Sequence, residues 1–332
     1  MEITPPSHTL TFTGVLSESR RIIKSNYSHF LTLSLLFLPL STSLIITPTL
    51  RHFTPPHHHH HPNLPPHHPP NLPPNYNNFP PIHHLIYLLL IYTFTLCATS
   101  SITCNAHHLF LSHTNNLTTT PLTTLTSITK SLFPLAFTAI VSHALMFLAS
   151  LTFLMLGGLA FMSVQTLSSL FGVRFVVEYD SVYFTAFSVV LGVVLFVVMM
   201  WLYVNWLLVN VVVVTESKWG FQALVRSWYL LKGMRSVAVK LLLFYGVLEG
   251  VLVLVYSRSV IGYGLGSWAF CLNVVFGSGF LMLLFLQSCV ANVILYNYCK
   301  AIHGELVIHV GDYVGLSADD EKVPYVVTVV TA

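Results

Sequence analysis

Trp219–Ser257, WGFQALVRSWYLLKGMRSVAVKLLLFYGVLEGVLVLVYS, constrains the fold more than any other stretch. A basic, amphipathic lead-in runs into an apolar helix long enough to cross a bilayer. The spanning part holds a single carboxylate, Glu249. In hydrocarbon every backbone polar group must be satisfied within the chain, so such a stretch has to be helical. The same plan, lead-in then span, recurs along the chain.

Six apolar segments are long enough to span, at about 28–48, 83–105, 132–162, 182–214, 238–256 and 268–300. Together they predict an all-α membrane protein of six transmembrane helices. Charge supports this, because only 8% of the 332 residues are charged, against about a quarter in soluble domains. So few charges cannot coat a water-facing globule. Pro39 is expected to kink the first span, the third is expected to break near Gly157 and Gly158, and the fourth and sixth are overlong. Residues 1–27 form a polar N-terminal tail with an amphipathic helix over 11–26, and 301–332 form a polar C-terminal tail. Residues 49–81 read as an extended His/Pro-rich loop and 106–131 as a Thr/Asn-rich linker. No cleavable leader is read at the N-terminus, so the first span serves as a signal-anchor.

Six spans put both termini on one side. That side carries eleven of the fourteen Lys and Arg residues, which predicts cytoplasmic termini in the endoplasmic reticulum or plasma membrane. The expected interfacial cations are Arg20, Arg21, Lys24, Lys130, Arg226, Lys232 and Arg235. Asn116-Leu117-Thr118 is a glycosylation acceptor that this topology leaves unmodified.

The lead-ins share a pattern of Leu followed by Lys eight residues on: Leu16 and Lys24, Leu122 and Lys130, Leu224 and Lys232. Ser19 and Ser227 match in the first and third. A small residue follows each Lys. This suggests a threefold internal repeat of interfacial helices on the cytoplasmic side, whose apolar faces bed into the headgroup layer while the basic residues meet anionic lipid.

Within the spans, Glu249 and His143 are the candidate protonatable pair. Glu249 lies nine residues beyond Lys240, about 13 Å along a helix. An ionised carboxylate at that depth is costly unless paired or wetted, so it should face the bundle interior. Asn205, Asn273, Gln287 and Asn292 are further intramembrane polar groups. Gly246 with Gly250, and Gly277 with Gly279, are expected at close helix approaches. His57, His58, His59, His60 and His61 have imidazoles that suit zinc, copper or nickel. A proline-rich tract fixes no coordination geometry, so an unconstrained loop is the first reading and metal buffering the lesser one. The five cysteines form no CxxC pair and read as small packing residues. There is no catalytic motif, no phosphate-binding loop and no nucleic-acid motif. No cofactor is expected. The expected partners are the lipid bilayer and other membrane proteins or a second copy, with no nucleic acid.

Ser267–Gln287, SWAFCLNVVFGSGFLMLLFLQ, Tyr296–Leu306, YNYCKAIHGEL, and the lead-in LSESRRIIKSN resemble a plant family of uncharacterised multi-pass membrane proteins. The resemblance covers most of the chain apart from the His/Pro loop and the Thr-rich linker. More distantly, ALVRSWYLLKG is similar to a lead-in of prokaryotic phosphodiesterase membrane domains. Neither likeness transfers a catalytic residue. Two functions lead: a non-enzymatic membrane organising, scaffold or trafficking factor, and a transporter or channel using Glu249 and His143. An enzyme acting on lipid is a third.

Overall fold

The computed structural model describes residues 11–53, 81–115, 121–170, 182–262 and 267–305. All regular structure there is helical. The helices are α1 (Phe12–Ser25), α2 (Tyr27–Ser34), α3 (Leu38–Phe53), α4 (Pro81–Asn115), α5 (Pro121–Leu170), α6 (Val182–Asn205), α7 (Val209–Glu216), α8 (Phe221–Leu230), α9 (Arg235–Gly262) and α10 (Trp268–Ile302). Six segments have the length and hydropathy of membrane spans: Tyr27–Pro48, Leu85–Phe110, Leu132–Leu167, Phe184–Glu216, Arg235–Gly262 and Trp268–Ile302. The chain is an all-α, multi-pass membrane protein.

Several boundaries differ from the sequence reading. The kink expected at Pro39 is a single 3-10 turn, Leu35–Phe37, so Pro39 falls in the first turn of α3, where its missing N–H costs nothing. The helix then continues past Pro48 to Phe53, shortening the loop that was expected from residue 49. The polar stretch read as a linker from 106 is helical to Asn115, because α10 holds it: His107 meets Tyr296 and Phe110 meets Tyr298 edge-on. Helix α5 does not break at Gly157 and Gly158; Gly157 instead lets Leu191 of α6 approach, with a Leu191 methyl 2.7 Å from where a Cβ would stand. The overlong fourth span is interrupted between α6 and α7.

The buried core gathers at one end, between α1, α2, α4, α7, α8 and the C-terminal half of α10. Phe30, Leu208, Leu224, Leu230 and Tyr296 are fully buried there. Helix α1 presents the predicted face, with Val15, Ser19 and Ile22 buried. That face is covered mainly by α10, and Phe12 packs on Phe244 of α9, so protein and not headgroups receives it. Of the three lead-ins, the first and third are separate helices, α1 and α8. The chain breaks at Asn26 after the first and at Gly233 (φ 102°) after the third, a conformation that favours glycine. The middle lead-in is continuous with its span in α5.

Helices α5 and α6 form an arm. At its base Leu135, Thr138 and Asn205 are buried. Beyond it, Phe147, Leu154, Leu159, Val189 and Phe196 are exposed. Phe161 packs against Phe184 and Phe187, holding the two helices of the arm together.

Candidate functional site

Polar chemistry concentrates where α7, α8 and α10 end together. Helix α7 stops at Glu216, and Ser217 (φ 53°) and Gly220 (φ 62°) turn the chain into α8. The turn docks on α5: Gly220 N–H donates to Thr138 Oγ1 at 2.7 Å, and Trp219 meets Phe137 edge-on. Arg226 on α8 then faces two carboxylates. It donates Nε to Glu216 Oε2 at 2.9 Å and Nη2 to Oε1 at 3.1 Å. Its other edge donates to Glu305, through Nη1 at 3.0 Å and through Nη2.

Glu216 also accepts from the Tyr296 hydroxyl at 2.9 Å and pairs with Lys218 at 3.0 Å, with Lys300 at 4.0 Å. Arg226 lies over Tyr229, and Tyr229 packs on His303. The side chain of Glu216 is 10% exposed and that of Arg226 17%, so this pair is largely out of water, while Glu305 at 32% is partly wetted. Hydrogen bonding from Arg226 depresses the Glu305 carboxyl, and Glu305 in turn raises the Arg226 guanidinium above its usual range. Two fork-to-fork contacts on one guanidinium fix helix ends far apart in sequence.

Behind the clasp, the interruption between α6 and α7 frees the Asn205 carbonyl from the helical ladder, since Val209 N–H bonds to Trp206 instead. Ser227 Oγ donates to that carbonyl at 2.8 Å. Both residues are fully buried.

A cavity of about 190 Å³ with mixed polar and apolar walls lies among α4, α7 and α10. Thr95, Thr99 and Thr103 enter it as one i, i+4, i+8 stripe, facing Asn210, Ser288 and Asn292. Thr95 and Thr99 each donate to their own helix at 2.8 Å. The Asn292 carboxamide oxygen is buried without a hydrogen-bond partner.

The predicted residues distribute as follows. Glu249 is half-buried. His143 is exposed and bonds to the Ala139 carbonyl at 2.7 Å; it forms no ion pair with Glu249. The two sit on helices whose chief neighbours differ, α5 packing on α4, α6, α7 and α8, and α9 on α10 and α3, with α6 touching both. Asn273 bonds to its own helix at Ala269.

Gly277 is a close approach, with a Tyr256 ring carbon and an Ile45 methyl 2.7 and 2.8 Å from a Cβ placed there. Gly246, Gly250 and Gly279 meet nothing within 4 Å. The packed face of α9 runs through Ala238, Leu241 and Tyr245, and Gly246 is turned about 100° from Tyr245. Arg21 pairs with Glu18, Arg235 lies over Trp228, and Lys232 is exposed. Arg20, Lys24 and Gln287 line one groove beside α1. Lys130 is in the early part of α5, and its side chain, like His57 to His61 and Asn116, lies outside the described residues.

The sequence reading missed Glu216, Tyr296, Lys300 and Glu305. A signal was present: Arg226 stands in ALVRSWYLLKG, and the other three partners on α10 and just beyond it stand in YNYCKAIHGEL. The Thr stripe of α4 was also visible as a fourfold spacing.

The chain matches the family described as Domain of unknown function (DUF8558) over residues 6–320. No curated protein and no solved structure matches it.

Proposed function

From the premise that this chain belongs to the DUF8558 family, we propose that it is a non-enzymatic membrane scaffold whose α5–α6 arm receives a helix of another membrane protein. One observation carries this reading. Only 6% of the apolar window is buried in each arm span, against 33% in α4. Lipid is as apolar as leucine, so an exposed span is stable in a bilayer; what marks the arm is a rigid base with two helices held as a pair beyond it. That arrangement suits recruitment of a partner helix.

Photo-crosslinking residues placed at Phe147, Leu154 and Phe196 test it in cells. Crosslinks to another membrane protein support the reading. Crosslinks to lipid alone, or to a second copy alone, refute the recruiting role. The proposal includes cytoplasmic termini in the endoplasmic reticulum or plasma membrane, and kinship with plant multi-pass proteins. A glycosidase-sensitive shift lost in Asn116→Gln would overturn the topology.

The cavity that holds the Thr stripe and Asn292 favours a second reading, passage of a small solute. The chain in liposomes with a solute panel tests it: flux that Asn292→Leu abolishes would replace the scaffold reading.

A further inference from the structure

Helix α1 lies across α9 and α10 and leaves a groove of about 460 Å³ between them. Its two ends differ in chemistry. Arg20 and Lys24, one turn apart on α1, stand exposed at one side. Neither has a carboxylate partner among the described residues, whereas the neighbouring Arg21 is paired with Glu18 at 2.7 Å. Apart from Tyr27 and Gln287 the remaining walls are apolar, among them Leu248 and Leu252 one turn apart on α9, and Phe280, Leu283 and Leu284 at i, i+3 and i+4 on α10. Leu248 is 39% exposed and Phe280 50%, so the groove opens along spans that face lipid. From Phe280 to Gln287 the α10 wall runs about 10 Å.

We propose that this groove binds one anionic phospholipid, its phosphate held by Arg20 and Lys24 and one acyl chain laid along Leu248, Leu252, Phe280 and Leu283. Charge complementarity selects the occupant. Two uncompensated cations beside an apolar channel match a molecule with an anion at one end and hydrocarbon at the other. A volume of about 460 Å³ lies within the range of small-molecule sites. Tyr27 and Gln287, the other polar lining groups, carry donors suited to the ester carbonyls. A peptide or a second copy would have to bring both features in one segment at membrane depth, while a phospholipid already has them there. The site stands apart from the α5–α6 arm and does not depend on its partner.

Native mass spectrometry of the full chain tests the site, with phosphatidylglycerol, phosphatidylcholine and glycerol phosphate titrated separately. We expect one tight adduct with phosphatidylglycerol and weaker adducts with phosphatidylcholine. Arg20→Gln with Lys24→Gln should weaken the phosphatidylglycerol adduct roughly thirtyfold, from about 1 kcal/mol per basic residue near the bilayer surface. Leu248→Trp, which fills the groove from an exposed position, should weaken both lipids. Arg21→Gln, and the charge-keeping exchange Arg20→Lys with Lys24→Arg, should leave binding within about threefold. Equal affinity for the two lipids would overturn the proposal, as would no lipid adduct, or glycerol phosphate binding as tightly as the lipid. If the double variant fails to fold, the wild-type lipid ratio and Leu248→Trp decide.

Discussion

Replacing Arg226 with Met is the sharpest perturbation of the clasp. Removing one partner of a buried ion pair costs about 3–5 kcal/mol, because a charge is left out of water without compensation. Here that figure is an upper bound. Glu216 would keep the Tyr296 hydroxyl at 2.9 Å and Lys218 at 3.0 Å. Glu305, at 32% exposure, would regain water. The expected loss is about 2 kcal/mol.

Arg226→Lys separates charge from geometry. Lysine keeps the cation but is a point charge that cannot present two edges to two carboxylates. It should lose about 1 kcal/mol. Glu305→Gln alone should cost under about 1 kcal/mol. Combined with Arg226→Met it should add nothing, since the contact it removes is already gone. The assay is denaturant-driven unfolding of the full chain in mixed micelles, with helicity followed for all four variants. Refutation would be Arg226→Lys within about 0.3 kcal/mol of wild type, or strict additivity of Arg226→Met and Glu305→Gln.

Further outcomes follow from the same contacts. Glu305 has a carboxyl held below its ordinary range by Arg226, so its contribution is fully present above that range and fades as pH falls through the lowered folded value; wild-type stability should therefore fall on acidification below about pH 5, and Glu305→Gln should flatten that decline in pH-dependent unfolding. The raised Arg226 loses nothing until pH exceeds the arginine range. Ser227→Ala leaves the Asn205 carbonyl buried and unpaired and should cost about 1–2 kcal/mol in the micelle assay, more than Ser19→Ala, whose hydroxyl donates back to its own helix at Leu16. Gly277→Ala should cost about 1–3 kcal/mol by overpacking against Tyr256 and Ile45, while Gly246→Ala and Gly250→Ala stay within about 0.5 kcal/mol of wild type.

The six spans were readable because length and hydropathy decide them, and neither needs a tertiary contact. The packed face of a span is a different matter. Lipid and a neighbouring helix are equally apolar, so hydropathy does not distinguish the Tyr245 face of α9 from the Gly246 face. Glycine spacing pointed to Gly246, Gly250, Gly277 and Gly279, yet of these Gly277 alone is a close approach, and another is at Gly157, where a break was expected; at each a bulky partner, Tyr256 or Leu191, projects from the facing helix. The sequence carries no mark of where that partner stands. Helix ends misled for a related reason: residues 106–115 look like a linker until Tyr296 and Tyr298 are seen against His107 and Phe110.

The clasp was half legible. Arg226 stood out as a cation in an amphipathic lead-in, where the positive-inside rule explained it completely. That explanation hid a second role, since an orienting charge needs no partner and Arg226 has two. Glu216 fell just past the end expected for the fourth span, and Glu305 at the start of the tail. Their meeting depends on the interruption at residues 206–208, which sets α7 apart from α6. The interruption in turn depends on Ser227, from the same helix as Arg226, bonding the carbonyl it frees. One turn of α8 thus closes both the break and the ion pairs. The same junction holds the base of α5 through Gly220 and Thr138. A load on the α5–α6 arm would therefore reach α10 through the α7–α8 turn and Arg226, the route that the proposed scaffold role requires between a partner helix and the core.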